Sequence, residues 1–325
     1  MIEAKGLTKS YGTLTALDDL SLSIGPGEVY GFIGPNGAGK STTMKILSCL
    51  LKPDSGRASV CGLDVRTRGD DVRRVLGYMP DFLGVYEDLT VDEYLQFFAA
   101  AFGIERRRRR ATIDGVLELT DLVAKKNAPV EGLSRGMQQR LGVARVLVHD
   151  PKVLLLDEPS SGLDPRARIE MRELLIELGK MGKCLMISSH ILTELAEMCT
   201  SIGIIERGKL LYTGSIKDAY ARARGGERIS VRLEEGPVTP ARVCEVLAQD
   251  ARVQRARVEP AVPDAADMGA QIGGEIIRVD LNPGEHGHHF LLEIIIATGA
   301  RIAAFTPEGM KLEEAFLKLT TGALQ

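Results

Sequence analysis

Residues 34 to 42 read Gly34, Pro35, Asn36, Gly37, Ala38, Gly39, Lys40, Ser41 and Thr42. Their types and spacing suit one task, the binding of a polyphosphate. Glycines let backbone N–H groups close on an anion with no Cβ in the way. A helix opening at the end of such a loop adds free amides and the positive end of its dipole. Lys40 can then reach β- and γ-phosphates, and the Ser41 hydroxyl can ligate Mg2+. The flanks fit this use: an apolar, strand-like run (29–33) precedes the loop and a helix-like run (42–51) follows it.

A second chemical pair stands far along the chain. The apolar run 153–156 ends in Asp157 and Glu158, and Pro159 stops it. A parallel sheet places its ligand chemistry at the carboxyl tips of buried strands. Asp157 suits Mg2+, held through water. Glu158 suits the attacking water, as general base or orienting group. The phosphate loop taken alone leaves kinases, GTPases and motors open.

Bulk properties narrow the class. The chain has 325 residues, 44% hydrophobic and 26% charged, with a net charge of −3. That suits a soluble globular protein of about two domains and gives no reason to expect nucleic acid as a partner. The five cysteines form no C-x-x-C pair, which points to reduced core residues rather than a disulfide framework or zinc site. The first ten residues are polar and charged, unlike a signal peptide. The longest apolar stretch, 290–305, carries Glu293 and Arg301 and is too short to span a bilayer. Any membrane spans are therefore expected from another polypeptide.

The elements that must position these groups follow from periodicity. Strands are expected at 2–7, 16–24, 56–60, 75–79, 153–156 and 184–188, with a hairpin at 202–206 and 209–213. Helical patterns cover 91 to about 122, 166–180 and 191–199. This alternation implies a parallel sheet flanked by helices, with an antiparallel region near the start. Composition turns to Arg, Ala and Gly at 221–227, which is read as a linker. Beyond it come strand (228–233), helix (240–249), strand (253–258), a loop (260–274), strand (275–281), helix (287–298) and strand (302–306). That βαββαβ order predicts a small α+β, ferredoxin-like domain. A last helix is expected at 312–320.

Between the two chemical sites lies Leu133, Ser134, Arg135, Gly136, Met137, Gln138. With the phosphate loop, this L-S-x-G-x-Q run, the strand-end Asp157-Glu158, the run Ser161-Gly162-Leu163-Asp164, and His190 after Ser188 and Ser189, residues 2–220 resemble the ATP-binding subunit of ABC transporters. The resemblance implies an α/β P-loop NTPase core over 1–222, with a helical insert at about 88–145, and an accessory domain over 223–325. It implies an ATPase that uses ATP and Mg2+, works as a head-to-tail dimer with a second copy, and drives a separately encoded, multi-spanning permease from the cytoplasmic face of the membrane. Each ATP would lie between one copy's phosphate loop and the other's Ser134 and Gly136. His190 would bond the γ-phosphate, Asp164 would lie at the dimer interface, and Tyr11 would stack on adenine.

Two departures from the family pattern matter. Asp81 stands where the family usually carries Gln; it can still ligate Mg2+, so it joins Ser41 and Asp157 as a metal candidate. Arg135 and Met137 in the signature resemble a variant of the drug, lipid and polysaccharide exporters, as does the C-terminal extension. Export is therefore expected over import, and over a soluble role in translation or on DNA. Five consecutive arginines, 106–110, are read as a solvated turn between helices, with contact to anionic lipid or to an acidic loop of the partner as the alternative. His286, His288 and His289 crowd one helix start without completing a metal set.

Overall fold

Strands that are apolar on both faces decide the central sheet. In the computed structural model the described residues are all except 83, 85–87, 217, 220–227, 261–274, 283–286 and 309–325. One compact unit covers Met1–Asp218 and a second begins at Ala219. In the first, β1 (Ile2–Tyr11) and β2 (Leu14–Ile24) pair antiparallel, and β3 (Val29–Ile33) carries the chain to the phosphate loop. α1 (Lys40–Leu47) follows, then β4 (Ser55–Val60), β5 (Leu63–Asp64), α2 (Gly69–Val75) and β6 (Leu76–Met79). The insert holds α3 (Val91–Ala101), α4 (Arg106–Leu119) and α5 (Arg135–Leu147). β7 (Val153–Asp157), α6 (Pro165–Lys180), β8 (Cys184–Ser189), α7 (Leu192–Ala196), β9 (Ser201–Glu206) and β10 (Lys209–Ser215) complete the unit.

The large sheet runs β10-β9-β3-β8-β7-β6 and the small antiparallel one β2-β1-β4-β5. From β9 to β6 all neighbours are parallel, and only β10 returns antiparallel. Every residue of β3, β7 and β8 is buried, as both-face coverage by helices and the second sheet requires. Each fully buried Leu of β7 adds about 1.5–3 kcal/mol by leaving water. The registers pair Ile33 with Ser189, Asp157 with Ser188, and Leu156 with Met79. The carboxyl ends of β3, β8, β7 and β6 are thus level, and the segments leaving them emerge side by side.

Two expectations about the insert need correction. The helical pattern expected to run on from 91 is interrupted between α3 and α4, where Gly103 takes φ 74. The five arginines lie inside the opening turns of α4, not in a turn between helices. Arg107 bonds Glu105, the residue before the helix, and Arg109 Nε donates to the Ile104 carbonyl at 2.8 Å. Local contacts with that approach therefore hold part of the run, against the usual preference of a helix start for acidic residues. α2, with acidic residues in its first turn and arginines in its last, had no counterpart in the sequence-based expectation.

The second unit has β11 (Arg228–Leu233), α8 (Pro240–Leu247), β12 (Val253–Pro260), β13 (Glu275–Leu281), α9 (His289–Ala297) and β14 (Ile302–Glu308). Its sheet order is β12-β13-β11-β14 with every neighbour antiparallel. That is the ferredoxin-like arrangement expected from the βαββαβ order. Ile229, Val231, Ile277 and Val279 on one sheet face pack with Val243, Leu247, Leu291 and Ile295 of the helices. The expected linker, the expected last helix, most of the loop after β12, and His286 lie outside the described residues. Among the described residues no cluster of three metal-ligating side chains occurs, and no helix is long and apolar enough to cross a membrane.

Candidate nucleotide site

The loop between β3 and α1 is built to face an anion. Gly37 and Gly39 take φ values of 80 and 111. A Cβ on Gly34 would fall 2.3 Å from the Ile205 carbonyl oxygen, and one on Gly39 2.6 Å from that of Ala16. Only glycine fits either place. Ala38 is buried and its N–H donates back to the Pro35 carbonyl at 3.1 Å, while Asn36 and Gly37 stand exposed at the tip. No side chain caps α1 and its first turn holds no acidic residue, so the amides of Lys40, Ser41 and Thr42 are left to an external acceptor. Ser41 is exposed at this end and Thr42 half-buried.

The sheet register brings the second chemical pair to the loop. Lys40 is buried, and its ammonium donates to the Gly34 carbonyl at 2.6 Å. It also lies 3.4 Å from Glu158 Oε1. Glu158 Oε2 is 2.9 Å from His190 Nδ1, so the imidazole donates from Nδ1 to the carboxylate. Glu158 holds a left-handed backbone, φ 50, which costs a non-glycine residue about 1–2 kcal/mol. Ser188 offsets this cost. Its hydroxyl accepts the Glu158 N–H at 2.9 Å and donates to Asp157 Oδ1 at 2.5 Å. One buried serine thus holds the Asp157 carboxylate and the Glu158 backbone.

Asp81 leaves β6 at the same edge. Burial holds its carboxyl above the usual range, the charges of Asp157 and Glu158 push the same way, and Arg135 and His190 oppose them. The acidic replacement therefore shares the field of the proposed metal and water positions. Tyr78, just upstream, has a buried hydroxyl without a hydrogen-bond partner, and burial followed by Asp157 and Asp81 raises its pKa.

Ser134, Gly136 and Asp164 gather elsewhere, where α5 meets α6. Ser134 caps α5, its hydroxyl accepting the Met137 N–H at 3.3 Å. Asp164 caps α6, its Oδ1 accepting the Ala167 N–H at 2.8 Å, with Pro165 at the first helical position. A Cβ on Gly136 would lie 2.8 Å from Ala167 Cβ, so this glycine is needed for packing within the chain. Among the described residues no hydrogen bond or ion pair joins Ser134 or Gly136 to the phosphate loop. Tyr11 ends β1 half-exposed, with the Lys9 ammonium 5.9 Å from its ring centroid.

The contacts of two residues here escaped sequence reasoning. Ser188 had a legible signal, a polar residue closing an otherwise apolar strand. The contact of Arg135 had none, although the residue itself marks the signature variant: its guanidinium lies across Gly162, where a Cβ would come within 2.4 Å of Arg135 Cζ.

Comparison with known proteins agrees with this geometry. The family model for ABC transporters matches residues 17–161. Over 235 residues the chain is 37% identical to the probable multidrug ABC transporter ATP-binding protein YbhF of Escherichia coli, covering 72% of this chain and 40% of that protein. The chain thus spans less than half the length of that relative. It is 36% identical to Nod factor export ATP-binding protein I of Ralstonia nicotianae, covering 73% of this chain and 74% of that one. Against the protein of the same name from Burkholderia orbicola the identity is 42%, covering 66% and 70%. Among solved structures, an ATP-binding subunit of an ABC transporter matches at 29% identity and a TM-score of 0.62, covering 68% of this chain and 92% of that one. The dimeric structure of MJ0796, a bacterial ABC transporter cassette, matches at 26% and 0.61, covering 66% and 99%.

Proposed function

The chain belongs to the ABC transporter family, among its ATP-binding proteins, and from that premise we propose that it hydrolyses ATP to drive export through a separately encoded, multi-spanning membrane protein. The observation that carries the chemistry is the contact of Lys40, Glu158 and His190 across three strand ends. Residues 1–222 would form the ATP-binding domain and 223–325 an accessory domain.

The residues suit Mg-ATP. The uncapped α1 terminus and its glycine cradle suit the phosphates. Ser41, Asp157 and Asp81 supply hard oxygen donors for Mg2+. When bound, Mg2+ neutralises charge on the phosphate oxygens. Lys40 would exchange its loop carbonyls and Glu158 for phosphate oxygens. Glu158, released from Lys40 and still held by Ser188 and His190, would orient and deprotonate the attacking water. Tyr11, at the outer end of β1, would stack on the adenine.

A single chain holds the phosphate loop and the Ser134–Gly136 corner as separate groups. Both are used together if two copies meet head to tail, each Ser134 hydroxyl and α5 terminus facing the other's γ-phosphate, with Asp164 at the interface. The dimeric cassette among the structural relatives supports this. The relatives named for multidrug transport and Nod factor export support export, and the lack of a membrane-spanning helix among the described residues suits a peripheral subunit on the cytoplasmic face.

The test is Glu158→Gln. ATP binding should persist, turnover should fall at least about a hundredfold, and an ATP-bound dimer should accumulate on size exclusion. Hydrolysis at the normal rate would defeat the assignment.

A further inference from the structure

Behind the Glu158–His190 pair lies a cavity of about 10 Å3, lined among others by Glu158, Ser160, Ser189, His190 and Glu194. Roughly 10–15 Å3 is enough for one water, provided it finds polar partners. Glu194 stands in the first turn of α7, four residues after His190, with its side chain mostly buried. Its Oε1 is fully buried and makes no hydrogen bond; Arg168 Nε lies 3.3 Å away, equally buried and equally without a hydrogen bond. Glu158 Oε1 is a third buried polar atom without a hydrogen bond. These three buried atoms meet only ion-pair partners, Glu194 with Arg168 and Glu158 with Lys40 at 3.4 Å, and each leaves its hydrogen-bonding capacity unused, which is costly in a buried site.

We propose that Glu194 is a positioning residue for hydrolysis: through one water in this cavity it holds His190 and Glu158 in register, and through Arg168 it ties them to α6. Arg168 sits one turn after the Asp164 cap, its N–H bonded to the Asp164 carbonyl at 3.0 Å. A neighbouring rung, Arg172 with Glu197, runs parallel between α6 and α7. The charged groups facing Glu194 are Arg168 on α6, His190 after β8 and Glu158 after β7. Burial holds the Glu194 carboxyl above the usual range, Arg168 and His190 pull it back, and Glu158 adds to the rise. Its charge is therefore lost on acidification earlier than that of an ordinary glutamate.

This inference rests on Glu158 and His190 acting in hydrolysis, so Glu158→Gln is run beside it. In the full-length chain, Glu194→Gln should keep ATP affinity and melting temperature and lose about tenfold in kcat at pH 8. The ratio of wild type to variant should shrink towards one as the pH falls and the native Glu194 becomes neutral like its replacement. A Glu194→Asp variant should restore part of the rate. A ratio constant with pH, or no loss at all, would overturn the proposal and leave Glu194 as a strut between α6 and α7. Normal turnover in Glu158→Gln would instead overturn the reading beneath it. Should Glu194→Gln prove unstable, Arg168→Gln removes the same tie while leaving the carboxylate: a pH-dependent kcat loss supports the proposal, and an unchanged kcat counts against it.

Discussion

Glu158 occupies a backbone region that most residues avoid, and its neighbours explain why it stays there. The Ser188 hydroxyl serves two masters, accepting from the Glu158 N–H and donating to Asp157. Ser188→Ala should leave both buried groups without that partner. A loss of about 1–3 kcal/mol in denaturant-measured stability is expected, with a fall in kcat larger than any change in ATP affinity. Unchanged stability and turnover would mean that the strand end holds itself. Lys40 tests the loop in the same way: Lys40→Ala should weaken ATP binding about tenfold or more, measured by calorimetry. Which residue types carry the chemistry was legible at this scale, because a glycine cradle and a strand-end Asp-Glu pair are local in sequence. What Asp81 meets was not, since its burial, and after it the charges of Asp157 and Glu158 at the end of another strand, are set by the packing.

At the scale of elements, helix starts were easier to foresee than helix contents. Ser134, Asp164 and Thr239 cap their helices through side-chain oxygens, and Thr90 with Glu93 forms a reciprocal box at α3. Such caps depend on four consecutive residues and so lie within reach of sequence. The placement of the arginine run was not, because its side chains fold back onto Glu105 and Ile104 instead of marking a turn. The close approach of α5 and α6 was likewise hidden. Gly136→Ala should destabilise the chain by about 1–3 kcal/mol, because its new Cβ would meet Ala167 Cβ at 2.8 Å. Ala167→Gly in the same chain should recover most of that loss in thermal unfolding. Failure of the rescue would assign the cost of Gly136→Ala to something other than this contact.

At the scale of the whole molecule, the two units have separate apolar cores. The core of the first gathers Ile2, Leu20, Phe32, Ile46 and Leu155, and that of the second Ile229, Val279 and Leu291. A chain ending at Asp218 should therefore unfold in one cooperative transition and still bind ATP; aggregation or loss of binding would show that the first unit depends on the second. The same truncation placed in the Glu158→Gln background reads the second unit's part in dimerisation, and a dimer is expected to form still. The sequence by itself determined the chemistry on offer, the strand and helix order of the second unit, most of that order in the first, where α2 was not foreseen, and the family. Each of these is written in short runs whose residue types answer to backbone freedom, capping or periodicity. Only the tertiary structure decided that Lys40, Glu158 and His190 meet, that Ser188 holds the Asp157 carboxylate and the Glu158 backbone, that Gly136 and Arg135 act within the chain, and that Glu194 stands behind Glu158 and His190. These depend on strand register and helix packing between segments far apart in the chain, which no local pattern specifies.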